Sequence, residues 1–194
     1  TLASSSAASD VYKRQSEYTR SDHLVFGIEY NNTDSSRFSL EAFNKKYYNY
    51  PVSVNDMVSL ANKGGDFEVL GNEDVSTSGR GKSYGIEFLY QQKLKNNFYG
   101  ILSYTFFYSK FSGFDEVFLP SVWDNRNLIS FTGGYKLKKN WEISSKLRFT
   151  DKTPYAPINN KLSSQSYPEI VFDYSQLGNY YLDSFLKLDV RIDK

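Results

Sequence analysis

Trp141–Thr150 reads WEISSKLRFT, and its pattern decides the fold. Trp141, Ile143, Leu147 and Phe149 share one parity, while Glu142, Ser144, Lys146, Arg148 and Thr150 share the other. A period of two belongs to a β-strand, whose successive side chains point to opposite faces. One face of this strand is apolar and the other carries charges of both signs, so the strand separates two different environments.

The alternation recurs on both sides. Upstream, Ile129, Phe131, Tyr135 and Leu137 oppose Ser130, Thr132 and Lys136, and the turn between is Lys138–Asn140. Phe98, Leu102, Tyr104, Phe106 and Tyr108 face Ser103, Thr105 and Ser109, with Ile101 and Phe107 blurring the pattern. Before the turn over 94–97, Tyr84, Ile86, Phe88 and Tyr90 stand against Ser83, Gly85, Glu87 and Gln91, with Leu89 as the exception. Two earlier strands, 24–30 and 37 to about 48, flank the polar turn 31–36. Downstream, Leu186, Leu188, Val190 and Ile192 alternate with Lys187, Asp189, Arg191 and Asp193. Seven strands are predicted in all, and the last is still alternating where the chain stops, which reads as a truncated element.

Connection lengths carry the next step. The segments 31–36, 94–97 and 138–140 are short, whereas 49–78, 112–125 and 151–182 are long, and short strictly alternates with long. Strands running up and down through a membrane gather short turns on one side and long loops on the other; a Greek-key sandwich has no reason to do so. The predicted fold class is therefore all-β: an antiparallel up-and-down transmembrane β-barrel, partial, with about seven strands of a larger barrel. The charged parity would then line a wet lumen, which assigns Glu87, Glu142, Lys146, Arg148, Lys187, Asp189 and Arg191 to lumen-facing positions. Tyr90, Tyr135 and Trp141 would form an interfacial girdle near strand ends.

Composition agrees. Phe, Trp and Tyr make up 18% of the 194 residues, an excess that suits pleated, half-buried surfaces. The 23 basic and 22 acidic residues leave a net charge of +1, so there is no electrostatic footprint for nucleic acid. Cysteine is absent, which removes thiolate chemistry and Cys-based metal sites, and His23 is the single histidine. No run of about eighteen apolar residues occurs, which excludes a transmembrane helix and leaves a barrel open; the mean hydropathy of −0.54 fits a barrel.

Residues 1–15 read differently. Thr1–Ala8 is small and polar without a period, and Asp10–Gln15, DVYKRQ, looks like an in-frame translation of a transposon end sequence. The expected organisation is a non-native or disordered extension over 1–15, followed by a barrel segment over 16–194.

Four stretches carry a family resemblance: FSLEAFNKKYYNYPVSV at 38–54, GKSYGIEFLYQQKLKNNFYGILSYTF at 81–106, LPSVWDNRNLISFTGGYKLKKNWEISSKLRF at 119–149, and LKLDVRIDK at 186–194. In combination they resemble TonB-dependent outer-membrane receptors, particularly the Bacteroidetes-like group with a carboxypeptidase-regulatory-like domain upstream. One departure is Asp151-Lys152-Thr153 before Pro154-Tyr155, where relatives often carry glycines. The resemblance implies a barrel of about 22 strands filled by an N-terminal plug, with neither the plug nor the TonB-gripped segment recognisable here. It also implies location in the cell outer membrane and contact with outer-membrane lipid. The plug, the TonB complex and a scarce small ligand (siderophore, oligosaccharide or peptide) are the other implied partners, and no cofactor is implied.

Other motifs are weaker. Gly81-Lys82-Ser83 is no phosphate loop, because Ser76 stands where a glycine is required and a strand follows. Trp123-Asp124-Asn125-Arg126 reads first as a turn cap, with Trp123 and Tyr155 as the loop residues most suited to contact a ligand. Tyr50, Phe67, Phe114, Phe118, Tyr167 and Tyr174 could stack on a ligand or pack the loops together. Asp115-Glu116 and Asn72-Glu73-Asp74 lack calcium-loop spacing. No catalytic constellation is present, so the chain is not expected to be an enzyme. The expected function is TonB-driven uptake, against a passive porin-like barrel or a soluble aromatic-rich carbohydrate-binding β-sandwich.

Overall fold

The computed structural model describes residues 17–32, 35–63 and 73–194; the expected extension over 1–15 lies outside them, as does Phe67. In chain order the strands are β1 (Arg20–Asn32), β2 (Ser36–Ser53), β3 (Val75–Lys95), β4 (Phe98–Ser112), the short β5 (Phe118–Pro120), β6 (Asn127–Lys136), β7 (Glu142–Thr150), the short β8 (Thr153–Pro154) and β9 (Tyr181–Leu182), and β10 (Phe185–Asp193). The wall is one sheet in the order β1-β2-β3-β4-β6-β7-β10, with β5 added beside β4. Every neighbouring pair is antiparallel, so the wall is a meander.

Register turns seven sequence patterns into two surfaces. One row of directly opposed residues runs Ile28, Leu40, Phe88, Tyr104, Ile129, Phe149 and Leu186. The row one residue away runs Glu29, Ser39, Leu89, Ser103, Ser130, Arg148 and Lys187. The first row is apolar in every strand, and the second is polar in every strand except at Leu89.

Nothing in the described structure covers the apolar face. Phe26 is 73% exposed and Leu188 61%. The buried hydrophobic residues, Val52, Val58, Ala61, Phe111 and Leu177, all lie at the end that carries the long connections. A soluble sandwich needs a second sheet against this face; β8 and β9 form the other sheet, and it is two residues wide. The sandwich reading is therefore corrected to a single barrel-type wall.

The two kinds of connection have different chemistry. At the short end, Asn96 and Asn97 both take positive φ (51° and 67°), the two-residue hairpin geometry that matches strand twist. Lys139 and Asn140 also take positive φ, at 60° and 62°, in the three-residue turn Lys138–Asn140, which the Leu137 N–H closes on the Trp141 carbonyl at 2.7 Å. At the long end the expected loops are shorter than the sequence pattern indicated. Strand pairing continues to Ser53 in β2 and begins at Val75 in β3, with a bulge where Asn49 takes φ 54°. There Val52 is fully buried, so the alternation that marks a half-exposed wall ends while the ladder goes on. The last long connection likewise contains β8, β9 and one helical turn, Tyr174–Gln176, besides α2 (Asn160–Gln165), which is capped by Asn159 accepting from the Leu162 N–H at 3.1 Å. A second short helix, α1 (Leu60–Lys63), lies between β2 and β3.

Glycines on the polar parity receive rings from the next strand. Phe111 lies opposite Gly81, and a Cβ at 81 would sit 2.3 Å from that ring. Tyr99 covers Gly134 in the same way.

Arginine placed in the apolar row at Leu147→Arg is expected to lower the unfolding free energy in vesicles by about 2–4 kcal/mol, whereas Thr105→Arg, opposite Glu87 on the polar parity, should change it little. Urea titrations of the two variants measure the difference, and equal costs would contradict the assignment of faces.

Candidate functional site

The residues singled out from the sequence lie on the polar face and at the long-loop end. On the polar face the lumen-facing candidates share one parity, as expected, but they do not form one cluster. Lys187 opposes Arg148, Asp189 opposes Lys146, and Asp193 opposes Glu142, so six of the seven candidates lie on β7 and β10. Glu87 is on β3, directly opposite Glu41. It lines a shallow concavity with Arg37, Glu41, Ser103 and Thr105.

Charges are answered locally, along the strand as often as across it. Lys187 pairs with Asp189 at 3.5 Å and Arg191 with Asp193 at 2.7 Å. The Tyr99 hydroxyl donates to Glu142, reaching over β6 from β4. Arg37 holds Glu29 at 2.6 Å. Glu29, Arg37, Glu41 and Tyr99 thus join this surface although none was singled out from the sequence; their parity relative to Leu40 and Leu102 was the available signal.

The Trp123-Asp124-Asn125-Arg126 motif proves to be a clasp. Asp124 is 1% exposed, and it accepts the Ser109 backbone N–H at 2.8 Å and the Arg126 Nε–H at 3.1 Å. The Arg126 guanidinium lies 4.0 Å over the Tyr108 ring, and its carbonyl accepts from the Phe107 N–H. Asn125 donates to Thr153 Oγ1, and Asn127 donates to Asp151 Oδ2 at 2.6 Å, so the segment ties β4 to the connection after β7. The Asn127 hydrogen bond, with that of the Lys152 N–H, holds the Asp151 carboxyl below its ordinary range. The motif therefore positions the loops.

Above the clasp the long connections fold onto one another. Asn62 on α1 donates to the Leu119 and Pro120 carbonyls at 3.1 and 2.9 Å, and the Val122 N–H returns to the Ala61 carbonyl. Gly178 packs against Pro120 with φ +91°. Lys63, 11% exposed, is held between Asp56 at 2.6 Å and Glu73 at 2.5 Å, and Glu73 also accepts from Ser53. Burial pushes the Glu73 carboxyl up, but hydrogen bonds from Lys63 and Ser53 and the Lys63 charge outweigh it and hold Glu73 below the usual range. Burial pulls Lys63 down, and its bonds to Asp56 and Glu73 reverse that into a net rise. The acidic segment at Glu73 is thus committed to a lysine. Asp115 accepts the Val117 N–H at 3.0 Å and so serves a turn.

The two expected ligand-contacting residues are both open to solvent, and their rings do not meet. Trp123 is 56% exposed and has no ring partner among the described residues. Tyr155 meets Tyr180 edge-on at 6.1 Å. Other loop aromatics pack: Tyr50 lies 4.5 Å from Phe111, and Phe118 lies under the Lys82 ammonium. Tyr167 and Phe114 stay exposed. Among the described residues no three His, Cys, Asp or Glu side chains gather as a metal site.

No family model matches the chain, and no curated protein matches it. Solved structures do. The chain is similar to the pyoverdine outer membrane receptor FpvA from Pseudomonas aeruginosa PAO1 bound to pyoverdine, at 14% identity and TM-score 0.61, covering 90% of this chain and 23% of that one. It is similar to FpvAI in its complex with pyocin S2, at 15% identity and TM-score 0.62, covering 91% and 22%. A structure of the ferripyoverdine receptor of the P. aeruginosa outer membrane bound to ferripyoverdine matches at 15% identity and TM-score 0.62, covering 90% and 21%. The chain spans less than a quarter of the length of these receptors, and at such identity the likeness is one of fold.

Two outcomes test this construction. Asp124→Ala leaves the Ser109 N–H and the Arg126 guanidinium without their acceptor and should destabilise the folded protein by about 2 kcal/mol, read from the urea midpoint. Glu73, with its lowered pKa, stabilises the loop end above its unfolded value of 4.5, and that contribution is lost as pH falls through the folded value. Hydrogen exchange over 53–63, corrected for intrinsic rate, should therefore accelerate in the native protein as the pH falls below the ordinary carboxylate range, and already be fast at neutral pH in Glu73→Gln.

Proposed function

We propose that this chain is a segment of the wall and outer loops of a TonB-dependent receptor in the outer membrane, a transporter that takes up a scarce ligand too large for passive diffusion. The observation that carries the reading is the uncovered apolar face of a single meander whose connections alternate strictly between short and long. Lipid is the partner that such a face requires, and the short-turn and long-loop ends are the two sides of a bilayer. The similarity to outer-membrane receptor structures supports the same reading, and the strand motifs over 81–106 and 119–149 support the finer placement near the Bacteroidetes-like group.

Within the transporter the chain's own contribution is mechanical and electrostatic. The polar face supplies paired charges on which a plug domain can slide or lock, since ion pairs at a wet surface exchange partners at small cost. The clasp at Asp124 and the Lys63–Glu73 pair hold the loop ends in place, and Trp123 and Tyr155 offer exposed rings to a planar or sugar-like ligand. Ligand binding on the loops and energy delivered through TonB then divide the work between recognition and release.

The test uses the complete protein in its host. Cells lacking the gene should lose growth when one of a panel of siderophores, oligosaccharides or peptides is the limiting nutrient, and deletion of TonB should reproduce that loss. Growth that is rescued by the gene in the absence of TonB would favour a passive porin-like barrel and sink the active-uptake reading.

A further inference from the structure

The face with the apolar parity carries charge at one level. Lys46, Lys82 and Lys110 stand directly opposite one another across β2, β3 and β4. Two residues toward the short turns, the same face reads Asn44, Tyr84 and Tyr108, with the two tyrosine rings stacked at 5.1 Å. Two further on it reads Ala42, Ile86 and Phe106. The lysines therefore sit at the upper border of the apolar band, on the long-loop side, with an aromatic step between them and the band.

This row opposes the chain's own stability. Neighbouring strands lie about 5 Å apart, and like charges directly opposite one another are destabilising. No carboxylate among the described residues forms an ion pair with any of the three. Asp22 is opposite Lys46, but Arg20 holds it at 2.9 Å. Lys82 is instead placed 4.3 Å over the Phe118 ring, which orders the ammonium without neutralising it. A second cation, Arg126, lies beside the row on Tyr108, already answered by Asp124. A local conflict of this kind, built in register over three strands, calls for an anion from outside the chain.

We propose that Lys46, Lys82 and Lys110 bind the phosphomonoester groups of anionic lipids in the outward-facing leaflet, which a zwitterionic phosphodiester headgroup does not replace. The inference rests on the membrane reading above and adds to it a lipid chemistry and a site. A phosphate bridging the ammoniums removes the repulsion, while the acyl chains of the same molecule cover Tyr84, Ile86, Phe106 and Tyr108 immediately below. Both halves of the lipid are engaged at once, which free phosphate does not achieve.

The test uses the complete receptor carrying this segment, inserted into phosphatidylcholine vesicles and followed by its thermal unfolding midpoint. Bis-phosphorylated lipid A should raise the midpoint by about 3 °C, and the same lipid stripped of its phosphates, or inorganic phosphate alone, should not. In K46Q/K82Q/K110Q the rise should vanish, and without lipid A the variant should be at least as stable as the wild type because the repulsion is gone. An equal rise with the phosphate-free lipid, a rise with inorganic phosphate, or a rise retained in the variant would overturn the proposal. If the variant does not insert, the comparison of phosphorylated and phosphate-free lipid on the wild type decides alone. A wild-type protein that does not insert into phosphatidylcholine overturns the membrane reading, and the lipid site with it, whereas insertion without phosphate dependence overturns the lipid site alone.

Discussion

From Arg80↔Ser112 to Gln92↔Gly100, the ladder between β3 and β4 holds every residue pair without a shift. The consequence reaches well beyond those two strands, because a slip of one residue would bring Glu87 into line with Ile86's apolar partners and turn Phe106 toward the charged side. Glu87 would then stand as a lone charge among apolar side chains, and Phe106 would lose its apolar neighbours. The apolar row from Ile28 to Leu186 and the polar row from Glu29 to Lys187 exist because the same register is kept across every strand of the wall. The tight turns at Asn96-Asn97 and Lys138–Asn140 help to set it, since the positive φ values within them fix the hairpin offset.

The long-loop end obeys other physics. There the chain has what the wall lacks, a small buried core, in which Val52, Val58, Ala61, Phe111 and Leu177 exclude water. Several buried polar groups in this region are answered in place: Asp124 by a backbone N–H and a guanidinium, Lys63 by two carboxylates, and Ser121 by Ser109 at 2.9 Å, whereas the Asn62 Oδ1 is buried without a hydrogen-bond partner. The result is a platform resting on the wall, joined to it through the clasp. The lysine row sits where the two regimes meet, on the wall by register and next to the long-loop end by height.

This division explains what could be read from the amino acids alone. The wall was legible because one side of each strand is apolar and the other polar, so WEISSKLRFT carries its own orientation. Glu142, Lys146, Arg148, Lys187, Asp189 and Arg191 share one parity of β7 and β10, whose register sets Lys146 opposite Asp189 and Arg148 opposite Lys187. Beyond Tyr48 the signal failed, because Val52 and Ser53 are both buried and a strand with two covered faces does not alternate. Long-range partners were equally out of reach: nothing local ties Asn62 to Leu119, or Asn127 to Asp151. The lysine row was hidden for a related reason, since Lys46, Lys82 and Lys110 become neighbours once three strands are set in register.

The central claim is that the two parities of the wall face lipid and water. The chain has no cysteine, so single cysteines can be introduced one at a time along Glu142–Thr150 in the complete protein and labelled with an environment-sensitive fluorophore in vesicles. The account predicts a period of two, with probes at 143, 147 and 149 quenched by a lipid-soluble agent and probes at 142, 144, 146 and 148 quenched by an aqueous one. Uniform aqueous quenching along the strand, or no period at all, would contradict it.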